Sequence, residues 1–176
     1  MKIEFLHQYH RQRGYSSKDK LIAYLPRYAP WATKMPWLFN VRESFPVLRG
    51  VFERALGFAS QRSLPRWRSD VFLRSPSPQR GERVGVRGQE VVLFVDTFTN
   101  YFEPENARAA QRVLEAAGYD VKIVRATDGD RPLCCGRTFL ATGMIDEARA
   151  EALRMVAALA PYADRGVPII GLEPSC

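Results

Sequence analysis

The chain has 176 residues, which suits one domain with an appendage or two small domains. Its hydrophobic content of 46% permits a real core, but no segment approaches the ~18 consecutive apolar residues of a membrane span. An odd count of three cysteines and a start unlike a signal peptide exclude a secreted disulfide framework and predict a reducing, cytoplasmic compartment.

The net charge of +7 is distributed unevenly between the two halves of the chain. Residues 1–88 hold 17 lysines and arginines against 6 acidic residues, a net charge of +11. Residues 89–176 hold 9 against 13, a net charge of −4. This opposite charge predicts two parts with different roles.

Residues 1–73 are predicted to form helical pieces that prolines interrupt. A short helix begins near Ser17 and is limited by Pro26, and aromatic residues then alternate with prolines over residues 28–39. A further helix is predicted from Pro46 to Phe58, with an apolar face among basic residues.

This basic, aromatic segment has three interpretations. It is a solvated surface with tryptophans as packing anchors, a docking surface for a partner or an anionic membrane, or a nucleic-acid surface. The sequence lacks a recognisable nucleic-acid-binding motif, so no nucleic-acid partner is expected.

Residues 74–89 are rich in proline, serine, glycine and arginine. Such a composition buries too little apolar surface to offset the entropy of ordering, so it predicts a disordered linker. An arginine-rich binding arm is the alternative.

Residues 90–176 are predicted to form an α/β domain. The predicted order is a buried strand, a helix, a second strand, a loop with two cysteines, a long helix and a third strand. In chain order these elements are Glu90–Asp96, a helix from Pro104 closed by Gly118, Tyr119–Val124, about Ile145–Ala160 and Val167–Leu172. This alternation predicts a small, parallel, Rossmann-like sheet with flanking helices.

Cys134, Cys135 and Gly136 stand together in the loop after the second strand. Adjacent cysteines make a strained disulfide, so they are better explained as metal ligands, and the alternative is two small buried residues. Cys176 follows the third strand, and the carboxyl ends of parallel strands share one edge of a sheet. Three thiolates suit iron–sulfur or zinc chemistry, with Glu173 or Asp96 as an oxygen ligand.

The second half resembles the cysteine-rich CCG domain of iron–sulfur oxidoreductases, the type found in the B subunit of heterodisulfide reductase and in the iron–sulfur subunit of glycolate oxidase. Three motifs carry the resemblance: Val-Asp-Thr-Phe-Thr-Asn-Tyr-Phe-Glu-Pro-Glu-Asn, Pro-Leu-Cys-Cys-Gly-Arg-Thr and Gly-Leu-Glu-Pro-Ser-Cys. They look closest to the C-terminal part of fusion proteins that join an FAD-linked oxidase domain to a ferredoxin-like domain.

The resemblance implies a cluster of the [4Fe-4S] type held by Cys134, Cys135 and Cys176, with Gly136 and Arg137 beside it. This chain departs from the family pattern at two places. Asp96 or Thr97 stands where the family has a cysteine after the first strand, and Glu173 leads the final pair. The departure implies an incomplete cluster, one with an oxygen ligand, or a vestigial site.

As a whole, the resemblance implies an electron-transfer module of a flavin-dependent 2-hydroxyacid oxidoreductase of the lactate or glycolate type. FAD would lie on a separate domain or polypeptide, and the partner would be flavin-containing and ferredoxin-like. The chain is then expected to be a fragment that is truncated within the domain, inactive alone, and cytoplasmic with peripheral association at the inner membrane face. The alternative is a non-catalytic protein that docks on a partner or membrane through its basic half.

Overall fold

A computed structural model of the chain describes residues 2–74, 88–126, 128–129 and 131–174. These residues divide into two units. Unit 1 comprises Met1–Ser69 and Gly136–Ala150, and unit 2 comprises Asp70–Cys135 and Glu151–Cys176. Residues 75–87 of the predicted linker and Cys176 lie outside the described residues. The division into residues 1–73, 74–89 and 90–176 stays a prediction.

The elements follow in chain order. The α-helices are α1 (Lys2–Arg13), α2 (Ser17–Ala23), α3 (Leu25–Ala32), α4 (Pro36–Phe39), α5 (Val41–Ser44), α6 (Pro46–Leu56), α7 (Thr97–Tyr101), α8 (Pro104–Ala116), α9 (Arg137–Ala141) and α10 (Ile145–Ala163). The strands are β1 (Glu90–Phe94), β2 (Asp120–Ile123) and β3 (Ile169–Gly171). The chain is therefore an α/β protein with a small parallel sheet and flanking helices, as the sequence predicts.

Prolines begin helices here more often than they end them. Pro26, Pro36 and Pro46 each lie in the first turn of a helix, where the missing N–H has no intrahelical partner to lose. The sequence predicts breaks by proline in residues 1–73 and an end near Ala160 for the long helix, but α3 continues through Pro30 and α10 continues through Pro161. Packing of a helix can outweigh the one hydrogen bond that an internal proline removes.

The core of unit 1 lies where α2 meets α9 and the start of α10. Buried Ala23, Phe139, Met144 and Ala148 form one apolar cluster. The hydroxyl of Thr138 donates to the carbonyl oxygen of Ala23 at 2.9 Å, which fixes α9 against the end of α2.

The apolar face predicted for α6 is not buried. The helix spans Pro46–Leu56 and ends at Gly57 in the left-handed conformation, close to the predicted bounds. However, the side chain of Val47 is 80% exposed and that of Val51 is 53% exposed. The helical periodicity was therefore a correct guide to the secondary structure but not to the core.

Glu43 joins α5 to the segment that follows α6. Its carboxylate accepts hydrogen bonds from Arg42, from Nη2 of Arg49 at 2.8 Å and from the backbone N–H of Leu64 at 3.1 Å. Burial alone would raise the pKa of Glu43, but the Leu64 N–H and the two guanidinium groups outweigh it and lower the pKa from its usual 4.5.

We expect Glu43→Gln to lower the free energy of unfolding of unit 1 by about 2 kcal/mol, because it removes hydrogen bonds to a charged acceptor. Since the folded pKa is depressed, this stabilisation is present above about pH 4.5 and is lost as the pH falls through the folded value. Urea unfolding followed by tryptophan fluorescence measures it, because Trp31, Trp37 and Trp67 all lie in unit 1. The matched control is Glu53→Gln on an exposed part of α6, and an equal loss in both variants would contradict the prediction.

Unit 2 contains the sheet, in which the strand order is β2-β1-β3 and both pairings are parallel. The central strand β1 is buried on both faces, as its continuous apolar sequence predicts. Leu93 and Val95 pack with residues of α8 on one face, and Phe94 packs with residues of α10 on the other. Among the described residues, none of the helices has both the length and the apolar character that a membrane crossing requires.

Candidate functional site at the carboxyl edge of the sheet

The strands β2 and β3 flank β1 on opposite sides, so the chain moves from β1 to β2 and then crosses back past β1 to β3. The chain passes from β1 through α8 to β2 on one side, and from β2 through α10 to β3 on the other. In open parallel sheets such a reversal opens a crevice beyond the carboxyl end of the central strand, where functional groups gather. The loops that begin at Val95, Val124 and Leu172 therefore reach one edge of the sheet.

Asp96 begins the first of these loops and acts as the N-cap of α7. Its carboxylate accepts hydrogen bonds from the backbone N–H of Phe98 at 2.7 Å, from that of Thr99 at 3.1 Å and from the Thr99 hydroxyl. The side chain is buried. Helix α7 was not predicted, although an aspartate followed directly by Thr-Phe-Thr is an N-cap signal.

Glu173 lies at the matching place after β3. Phe94 of β1 is in register with Gly171 of β3, and both Asp96 and Glu173 follow that pair by two residues. Glu173 is partly buried. Both acidic residues thus follow the carboxyl ends of paired parallel strands.

The cysteines follow Leu133, whose buried side chain packs in one cluster with Phe94 and Ala158. This contact holds the loop beside the carboxyl end of β1. Cys134 is 4% exposed, and Cys135 is partly buried. The residues that the structure describes contain no group of three or more His, Cys, Asp or Glu side chains placed to hold a metal ion.

An ion-pair network lies directly before the cysteines. Nη1 of Arg131 is 2.9 and 2.8 Å from the two carboxylate oxygens of Glu151, which is 1% exposed on α10. One turn later on α10, Nε of Arg154 donates to both carboxylate oxygens of Asp128, at 2.7 and 2.6 Å. These hydrogen bonds lower the pKa of Asp128 from its usual value. Glu151 and Arg154 were not predicted as site residues, because helical periodicity does not show which polar residues of a helix become buried.

Tyr101 is a further buried polar residue that the sequence analysis missed. It ends α7, and burial raises the pKa of its phenol to about 12, against the opposing effects of Arg74, Asn100 and Arg131. The phenol is therefore neutral at physiological pH. Nothing in the sequence around it indicated a buried hydroxyl.

Gly136 and Arg137 belong to unit 1 and begin α9. Gly136 has φ +85, and a Cβ at this position would lie 2.5 Å from the carbonyl oxygen of Ala148. A glycine is therefore needed for packing against α10. Arg137 is exposed in the first turn of α9.

Comparison with known proteins relates the chain to oxidoreductases. It is 26% identical over 140 residues to the C subunit of anaerobic glycerol-3-phosphate dehydrogenase from Escherichia coli K12, covering 79% of this chain and 34% of that relative. It is 21% identical over 181 residues to D-2-hydroxyglutarate dehydrogenase of Haemophilus influenzae, covering 99% of this chain and 17% of the enzyme. The corresponding enzyme of Pseudomonas putida is 26% identical over 184 residues, covering 97% of this chain and 17% of the enzyme.

The chain thus spans about a third of the length of the first relative and about a sixth of the other two. No protein-family model matches it. No solved structure matches it either. The chain is therefore an oxidoreductase-related α/β module. The proteins to which it is similar are named as dehydrogenases of glycerol-3-phosphate and of D-2-hydroxyglutarate.

Proposed function

We propose that this chain is an electron-transfer module of a flavin-dependent 2-hydroxyacid dehydrogenase, and that Cys134 and Cys135 bind an iron–sulfur cluster of the [4Fe-4S] type. The observation that carries the proposal is the position of the cysteine loop. Leu133 packs in one apolar cluster with Phe94, which ends the central strand where the chain reverses direction across the sheet.

The donor chemistry of this edge suits such a cluster. Thiolates are the preferred ligands of iron–sulfur clusters, and partial burial limits access of water to the sulfurs. Cys176 is the proposed third thiolate ligand. Glu173 and Asp96 are the proposed oxygen ligands, and Asp96 would have to give up N-cap hydrogen bonds in order to bind.

The related proteins support the substrate class. D-2-hydroxyglutarate is by name a 2-hydroxyacid, and two of the related enzymes are its dehydrogenases. In the proposal, flavin chemistry takes place on a separate flavin-containing and ferredoxin-like domain or polypeptide, and a bound cluster passes single electrons onward. The residues of this chain hold the thiols in place and keep Cys134 buried.

Reconstitution of the full chain under anaerobic conditions with iron and sulfide tests the proposal. We expect a brown protein with bound iron and acid-labile sulfide, and a fall in iron content of about tenfold in the double variant Cys134→Ser/Cys135→Ser. Ala158→Ser is the matched control, because it places a hydroxyl in the same apolar cluster and keeps both thiols. A colourless wild-type protein, zinc in place of iron, or equal iron content in the double variant would contradict the proposal.

A second candidate function is docking of unit 1 on a partner protein. The exposed valines of α6, in a basic part of the chain, are the observation that favours it. Under this function alone, Cys134→Ser/Cys135→Ser would leave partner binding unchanged, whereas Val47→Asp would weaken it.

A further inference from the structure

The loop that presents the cysteines has little backbone structure of its own. The described residues between β2 and α9 contain no helix or strand, and the segment includes both thiols. An irregular loop keeps one conformation only when side chains or packing fix it. The positions of the thiols must therefore depend on contacts from neighbouring elements.

Arg154 of α10 makes several of these contacts. Its Nε donates to the carboxylate of Asp128, its Nη1 donates to the carbonyl oxygen of Pro132 at 2.9 Å, and its Nη2 donates to the carbonyl oxygen of Arg131. One guanidinium group thus holds the loop at three points. The last of them, Pro132, is two residues before Cys134.

Glu151 fixes the other side of this arrangement. Its buried carboxylate accepts from Arg131 and lies 3.8 Å from Nη1 of Arg154, one turn away on the same helix. The buried carboxylate of Glu151 is stabilised only while positive charge lies beside it. The two guanidinium groups are therefore held in the orientations that compensate the carboxylate charge. Leu133 then anchors the loop on its apolar side.

We infer that Arg154 and Glu151 are positioning residues for the thiols of Cys134 and Cys135. They hold the loop so that Cys135 is accessible at the edge of the sheet while Cys134 stays buried. The inference rests on the proposed function for its biological purpose, but the arrangement of the thiols is measurable on the metal-free chain.

Alkylation of the reduced, metal-free full chain with iodoacetamide tests the inference, with fragmentation mass spectrometry to separate the two adjacent cysteines. In the wild-type protein we expect Cys135 to react about tenfold faster than Cys134, because Cys135 is only partly buried whereas Cys134 is buried. In Arg154→Gln the loop is released and both thiols become exposed. Cys135 should then react less than about threefold faster than Cys134.

Two further variants separate positioning from general stabilisation. Arg154→Lys keeps a cation beside Glu151, but an ammonium group does not reproduce the fork that reaches Asp128 and two carbonyl oxygens, so the ratio should fall as in Arg154→Gln. Asp128→Ala removes one attachment of the loop. The Asp128 side chain is 55% exposed, so the variant should fold. The ratio of the Cys135 rate to the Cys134 rate should be about twofold to threefold lower than in the wild-type protein. These two variants decide the matter if Arg154→Gln does not fold.

Arg165→Gln is the matched control, since it removes another arginine ion pair of unit 2, the exposed pair with Glu90, and should leave the ratio unchanged. A wild-type ratio in folded Arg154→Lys and in Asp128→Ala would overturn the inference, as would an equal change in the control. Iron content separates this test from that of the proposed function. Wild-type protein that binds no iron but shows the expected ratios contradicts only the proposed function.

Discussion

Leu133→Ala is expected to lower the free energy of unfolding of unit 2 by about 3 kcal/mol, because it leaves a cavity between Phe94 and Ala158 that the surrounding side chains fill only in part. The same change releases the cysteine loop from the sheet. We therefore expect the iron content after reconstitution to fall together with the stability.

Native-state hydrogen exchange of the amides of β1 measures this effect, since the three tryptophans report on unit 1 only. Leu153→Ala is the matched control, because it removes the same atoms from a side chain that is 59% exposed on α10. Its expected cost is within about 0.5 kcal/mol. Equal losses in the two variants would show that Leu133 does not anchor the loop.

Gly136→Ala is expected to destabilise unit 1 by about 3 kcal/mol. The left-handed conformation at φ +85 costs an alanine roughly 1–2 kcal/mol, and the new Cβ lies 2.5 Å from the carbonyl oxygen of Ala148, which adds a cost of overpacking. Urea unfolding followed by tryptophan fluorescence measures the change.

Gly14→Ala separates the two contributions. Gly14 has φ +77 and nothing within 4 Å of the added Cβ, so this variant should lose only the conformational part, about 1 kcal/mol. If Gly136→Ala loses no more than Gly14→Ala, close packing against α10 is not the reason for the glycine in the Cys-Cys-Gly motif.

The secondary structure of the second half was largely predictable from local sequence. The apolar run of β1 and the proline and glycine around α8 are signals that act within a few residues, and the structure confirms the elements that they predict. Periodicity was less informative for α6, because an apolar helical face is buried only if another element covers it.

The candidate site was predictable only in part. Parallel connections indicate that Asp96, Cys134 and Glu173 follow strands that end at one edge, because chain direction alone determines that edge. The local use of Asp96 as an N-cap was not recognised, although its signal is present in the sequence. The roles of the cysteines and of Glu173 as ligands stay predictions.

The adjacent cysteines, the α/β order and the charge division are properties of the sequence by itself, because each depends on residue type and short-range pattern. Tertiary structure alone decided that Leu133 joins Phe94 in one apolar cluster, that Gly136 lies against Ala148, and that Arg154 reaches Asp128. These partners are 12 to 39 residues apart in the chain. Contacts at such separations depend on how packed elements approach one another, which no local pattern encodes.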